Sequence, residues 1–205
     1  KYLGNLSSQE ISKLQSAASS KGGYSYDYQS YTHYGVNITK ALINSLYIPC
    51  KLNRTRSILS MYENVGTPVD GSRDNNLPIV DNDTLPEQYV YKINNLLVPN
   101  RPVSLSNYEK SPATAGRWGS VHLGELEKAI QEVGLSVKSL ENPAQCLVVG
   151  RMLAILGHTF DMRSALGETR LEYNFSTQTR DLLFHNFVAH LRRLVITPTS
   201  TFVEM

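Results

Sequence analysis

Residues 168–176 read ETRLEYNFS. Thr169, Leu171, Tyr173 and Phe175 alternate with Glu168, Arg170, Glu172 and Asn174. A period of two places successive side chains on opposite faces of a strand. Apolar and aromatic groups on one face and charges on the other describe an antiparallel strand with one face on a core and one in water. Leu171, Tyr173 and Phe175 are therefore expected inside.

The same texture extends both ways from this stretch. Residues 182–196 (LLFHNFVAHLRRLVI) form a longer run, expected to bend or bulge near its middle, and Thr201-Phe202-Val203 suits one more short strand. Upstream, residues 145–156 (QCLVVGRMLAIL) are almost wholly apolar, as in a strand buried on both faces; a buried helix is the competing reading. Tyr89, Tyr91 and Ile93 share one face of residues 89–98, and Asn94-Asn95 suits a turn into Leu96-Leu97-Val98. Pro99 and Pro102 bracket the next short segment. Residues 55–62 (TRSILSMY) read as a strand. Residues 24–34 (YSYDYQSYTHY) alternate tyrosine with polar residues, shift phase before Tyr31, and continue as extended chain from Val36 to Ile48, closed by Pro49.

Two helices punctuate the strands. Ser7-Ser8-Gln9-Glu10 matches the S-x-x-E capping box, followed by Ile11, Leu14 and Ala18 and closed by Gly22-Gly23. From Ser120, Leu123, Leu126, Ile130 and Val133 form an apolar stripe at helical spacing, stopped by Gly134. Residues 63–88 and 106–119, rich in Gly, Pro, Asn and Ser, read as long loops; the second holds the single tryptophan, Trp118. Strands dominate and do not interleave with helices in a βαβ rhythm. The expected fold is all-β: an antiparallel jelly-roll sandwich over 24–205, with one inserted amphipathic helix at about 120–133 and a short helical segment within 1–23.

Composition removes several classes of function. Of 205 residues, 41% are hydrophobic and 19% charged, which is too apolar for a disordered chain. Lys+Arg is 20 against Asp+Glu at 18, so the formal charge of +2 gives no electrostatic case for nucleic acid. No apolar run approaches the length of a membrane span. Cys50 and Cys146, far apart, are expected as reduced, partly buried thiols. No secretory leader is visible, so the N-x-[ST] triplets at Asn5, Asn37, Asn53, Asn82 and Asn174 are expected to go unused. A chain opening on Lys1 is expected to be a piece or a processed product of something longer.

The search for chemistry is mostly negative. Gly66 to Arg73 has the glycine spacing of a phosphate loop but lacks its lysine and contains Pro68, which has no N–H to donate. Among His33, His122, His158, His185 and His190 there is no H-x-H and no H-E-x-x-H. His185 and His190, five apart, point to opposite faces of a strand and cannot share one ion without a bulge. There is no G-x-S-x-G elbow. Glu125 and Glu127 diverge on a helix, and Arg54/Arg56 and Arg192/Arg193 read as solvated or interface charge. No catalytic, cofactor-binding or metal residue is assigned, and the chain is expected not to be an enzyme.

The order of segments carries a resemblance. LNRTRSILSMYEN (52–64), a long loop, YVYKINNLLVPNRPVSLSN (89–107), the helix HLGELEKAIQ (122–131), LVVGRMLAIL (147–156), TRLEYNFS (169–176) and the closing FHNFVAHLRRLVITPTSTFVEM follow one another. Together they resemble the C-terminal jelly roll of a double jelly-roll major capsid protein, of the virophage, Polinton-like or adintovirus-like DNA virus type. The resemblance covers most of the chain from about residue 30 and is one of pattern rather than of an exact motif. It implies a structural role in a virion: upright jelly rolls, three two-roll subunits per trimeric capsomer, loops on the outer surface of an icosahedral shell, and no catalysis. The implied partners are copies of the chain itself, neighbouring capsid proteins and a missing N-terminal jelly roll, with no specific nucleic acid and no membrane span. Two hundred and five residues hold one roll where the family has two. Two further readings compete on the residues alone: a ligand- or glycan-binding β-sandwich using its exposed tyrosines, and a metal-dependent jelly-roll enzyme, which the histidine spacing disfavours.

Overall fold

The computed structural model describes residues 8–19, 23–64, 84–105, 120–132, 148–156, 158–163, 167–178, 181–197 and 200–204. The elements are α1 (Ser8–Ala18), β1 (Tyr24–Ile38), β2 (Ile43–Ile48), β3 (Thr55–Asn64), β4 (Thr84–Ile93), β5 (Leu96–Ser104), α2 (Ser120–Glu132), β6 (Val148–Met152), β7 (Thr169–Gln178), β8 (Leu182–Ile196) and β9 (Thr201–Glu204). One sheet runs β1-β8-β3-β6, with β9 added to β8; the other runs β2-β7-β4-β5. The pairs are thus first with eighth, second with seventh, third with sixth and fourth with fifth. A long hairpin whose tip is the β4–β5 turn, rolled so that successive strands alternate between two sheets, gives this order, which is that of a jelly roll.

The chain divides into two compact units, residues 1–30 with 191–205, and residues 31–190. In the first, β9 pairs with the end of β8, from Arg193↔Glu204 to Ile196↔Thr201, and Arg193 is paired with Asp27 at 2.9 Å. Gly23 has φ +66°, and a Cβ there would lie 2.5 Å from the Ile196 carbonyl oxygen, so only glycine fits.

The second unit holds the sandwich. Its core joins the inward faces of both sheets: Leu46 and Ile48 of β2, Ile58 and Tyr62 of β3, Tyr89, Tyr91 and Ile93 of β4, Leu171 and Tyr173 of β7, and Leu182, Phe184 and Val188 of β8. Leu171 and Tyr173 are fully buried, as the alternation requires, while Arg170, Glu172 and Asn174 lie on the wetter face. The side chain of Phe175 is outside the described residues. Asn94 and Asn95 adopt φ +51° and +66°, the left-handed pair that a two-residue hairpin turn demands, so Asn94-Asn95 joins β4 to β5 as expected.

Several expectations are corrected. The loop expected over 63–88 is shorter at both ends: β3 runs on to Asn64, and β4 begins at Thr84 despite Pro86. Two compensating register shifts against β7 flank that proline, the setting in which a strand tolerates one. Val36 to Ile48 is not continuous but breaks at 39–42 between β1 and β2. The apolar run 145–156 holds a strand rather than a helix, but a shorter one within its described part: β6 is Val148–Met152. Leu153 and Ala154 then give their N–H groups to the Arg56 carbonyl, and a tight Ile155–His158 bridge reverses the chain, leaving Leu156 96% exposed. The bulge expected within 182–196 sits on the partner strand: the ladder steps from Thr55↔His190 to Ser57↔Ala189, so Arg56 is the extra residue. In β5 the ladder passes from Val98 to Val103, leaving the Pro99 to Pro102 stretch without a β4 partner in that register. Cys146, Trp118, Gly134, the Gly66 to Arg73 turn and the 106–119 loop lie outside the described residues.

The helix α2 packs on β6, β3 and β5. Its Leu126 and Ile130 meet Val148, Leu59 and Met61. Leu123, expected in the buried stripe, is 36% exposed; His122 and Ala129 are buried in its stead. The helix therefore packs on the outer face of β3 and β6, over Leu59, Met61 and Gly150.

Candidate functional site

Tyrosines fill the space between the sheets. Tyr62, Tyr89, Tyr91 and Tyr173 are all buried to within 1%, in ring contact with one another or with Phe184 at centroid distances of 4.9 to 6.2 Å. A buried phenol needs a partner for its O–H, and two of them reach across the sandwich. The Tyr89 hydroxyl, on β4, donates to the Gly150 carbonyl of β6 at 3.0 Å. The Tyr91 hydroxyl donates to Ser60 Oγ of β3 at 3.0 Å; Ser60 donates onward to Asn186 Oδ1 of β8 at 2.6 Å, and Asn186 Nδ2 to the Tyr34 carbonyl of β1 at 3.2 Å. Burial pushes the Tyr89, Tyr91 and Tyr173 hydroxyls well above the usual phenol range, so all three stay neutral. This interior is packed and cross-tied, as a rigid block requires.

The two ends of the sandwich differ. At one end the connections are bonded to each other. Thr55 exchanges backbone hydrogen bonds with Phe160, Met162 N–H reaches the Leu52 carbonyl, and Asn94 N–H reaches the Glu168 carbonyl. Buried Cys50 lies 3.7 Å from the Met162 sulfur, and burial raises its thiol pKa, so it is an inert packing group. At the other end Lys40 N–H donates to Asp181 at 2.9 Å.

The charged residues weighed in the sequence are mostly absorbed by pairing. Arg56 bonds Glu132 at 2.7 Å, and Glu125 holds Arg151 together with Lys128. Both glutamates are on α2, so these pairs fasten the helix to β3 and β6. Arg170 pairs with Glu168 at 2.7 Å. Glu127 lies on the exposed side of α2 with Gln131, apart from Glu125, so no carboxylate pair forms there. His122 is buried edge-on to Tyr89 at 6.0 Å, and burial lowers its pKa to about 4.

His185 and His190 are separated, as their spacing requires. His190 is buried and its Nε2 lies 3.0 Å from Thr32 Oγ1. His185 projects to the other face, where its Nδ1 is 3.0 Å from Nε2 of His33. The two imidazoles stack at 5.2 Å, and Phe187 flanks His33 at 4.9 Å. Sequence reasoning missed this pair: the partners are 152 positions apart, and only the adjacency of the first and eighth strands joins them. Among the described residues, no group of three His, Cys, Asp or Glu gathers as a metal cluster.

No family model matches the chain, and no curated protein matches it. Among solved structures, 88% of the chain superposes on a chain of the Sputnik virophage determined by cryo-EM, with 13% sequence identity and a TM-score of 0.35. The match takes up 38% of that longer chain's length. No described helix is long and apolar enough to cross a membrane.

Proposed function

We propose that this chain is a structural protein of a viral shell, one jelly roll of a double jelly-roll major capsid protein. The observation that carries the reading is the rolled strand order, β1-β8-β3-β6 against β2-β7-β4-β5. Folds of this order serve capsids, lectins and cupins. The packed tyrosine interior, cross-tied by Tyr89 and Tyr91, favours the first of these over the third, because a cupin keeps a ligand-lined hollow between its sheets. The segment order described above favours it over the second.

On this reading the chain is not an enzyme and acts in the virion. Its partners are further copies of itself in a trimeric capsomer, neighbouring capsid proteins and a preceding jelly roll. The test is made on the full-length gene product: size-exclusion chromatography with light scattering, then electron microscopy. Trimers or closed particles are the expected result. A monomer at micromolar concentration under every salt condition, combined with saturable binding on a glycan array, overturns the proposal in favour of a glycan-binding sandwich.

A further inference from the structure

We propose that His33 and His185 form a two-histidine chelate for a late first-row divalent cation, clasping β1 to β8. The proposal does not depend on the capsid reading. The nitrogens His33 Nε2 and His185 Nδ1 stand 3.0 Å apart. With metal–nitrogen bonds of about 2.0–2.1 Å, two ligands on one ion are separated by about 2.8–3.0 Å at a right angle and by about 3.4 Å at a tetrahedral angle. The observed spacing lies within that bite; the rings meet almost end to end, with centroids 5.2 Å apart, so each must turn by about 35–45° for both lone pairs to meet at one ion. The proton held between the rings shifts to the far nitrogen of its own ring, which frees both facing lone pairs. His33 is exposed and His185 half-buried, so solvent supplies the remaining ligands. Met61, opposite His185 on β3, packs against the Leu126 and Ile130 contact of α2. Phe187 lies tilted against His33 with centroids 4.9 Å apart. Paired imidazoles select zinc, nickel and copper over magnesium and calcium, which prefer oxygen.

The experiment titrates the untagged, metal-free chain with Zn2+, Cu2+ and Mg2+ by calorimetry and follows the melting midpoint. The expected result is one Zn2+ or Cu2+ per chain, with Cu2+ the tighter and Mg2+ silent at the same concentration. The midpoint should rise by about 2–4 °C at saturation. His33→Gln and His185→Gln each abolish that binding while keeping the metal-free midpoint near that of the parent, and Phe187→Leu retains it. Spectra of the Cu2+ form should show coupling to two imidazole nitrogens. Absence of saturable binding overturns the proposal. So does binding that survives either glutamine substitution, which would assign the ion elsewhere or to a single histidine.

Discussion

Leu171 is the residue on which the sequence reading stakes most, and it lies at the centre of the packed interface between the sheets, opposite Leu46 on β2 and Tyr91 on β4. Leu171→Ala should lower stability by about 2–5 kcal/mol in urea unfolding, because the rolled sheets cannot close over the lost volume. A loss under about 0.5 kcal/mol would mean that the strand's inner face is the other one. His122 makes a second residue-scale prediction. Folded, it stays neutral down to about pH 4, while the unfolded chain takes up a proton near 6.5. The unfolded state thus binds more protons between those values, so stability falls as pH drops from about 6.5 through about 4, by about 3 kcal/mol in total. His122→Gln should flatten that part of the stability–pH profile; a slope unchanged in the variant would place its origin elsewhere. Alternation made Leu171 and Tyr173 legible in the sequence. His122 was not legible, because the stripe was anchored on Leu123, and a polar ring one position earlier carries no period of its own.

At the scale of elements, the sequence is legible wherever a local rule governs it: period two in β7, Asn94-Asn95 at the β4–β5 turn, and the presence of a helix at α2 with Leu126 and Ile130 inward. It misleads where tertiary context overrides the local rule. Pro86 signals a loop, yet β7 and β4 absorb it with paired register shifts. The apolar run 145–156 signals a strand throughout, yet the Arg56 carbonyl captures the Leu153 and Ala154 N–H groups and β6 ends at Met152. Gly150 shows how closely α2 and β6 are fitted. A Cβ there would lie 2.7 Å from Leu59 Cδ2 and 3.0 Å from Ala129 Cβ. The leucine tip can turn away, but the alanine is fixed to the helix. Gly150→Ala should therefore cost about 1–3 kcal/mol by pushing α2 off the sheet. Adding Ala129→Gly should recover part of that loss, beyond the cost of a glycine in a helix, which a double-mutant cycle measures. Strict additivity of the two changes would refute the contact as the cause.

For the whole molecule, the rolled hairpin sets the order in which entropy must be spent. The β4–β5 pairing closes across two residues, Asn94 and Asn95, whereas β3–β6 joins Ser57 to Met152 and β2–β7 joins Ile43 to Asn174. The cost of closing a loop grows with its length, and long-range pairings are formed slowly. Once the β4–β5 turn is in place, each outer pair closes a loop already shortened by the pair inside it. The sheet should therefore build outward from the turn, with the β1–β8 pairing last. Two conservative truncations test this in stopped-flow folding: Val98→Ala, opposite Tyr91 beside the turn, and Val188→Ala, opposite Ile58 on β8. Val98→Ala should slow folding and leave unfolding nearly unchanged, while Val188→Ala should mainly speed unfolding. The reverse pattern would mean that β8 docks first and that the roll closes from its ends. The same nesting brings His33 beside His185, so a divalent ion bound there should slow unfolding without speeding folding, as expected of a contact made after the transition state.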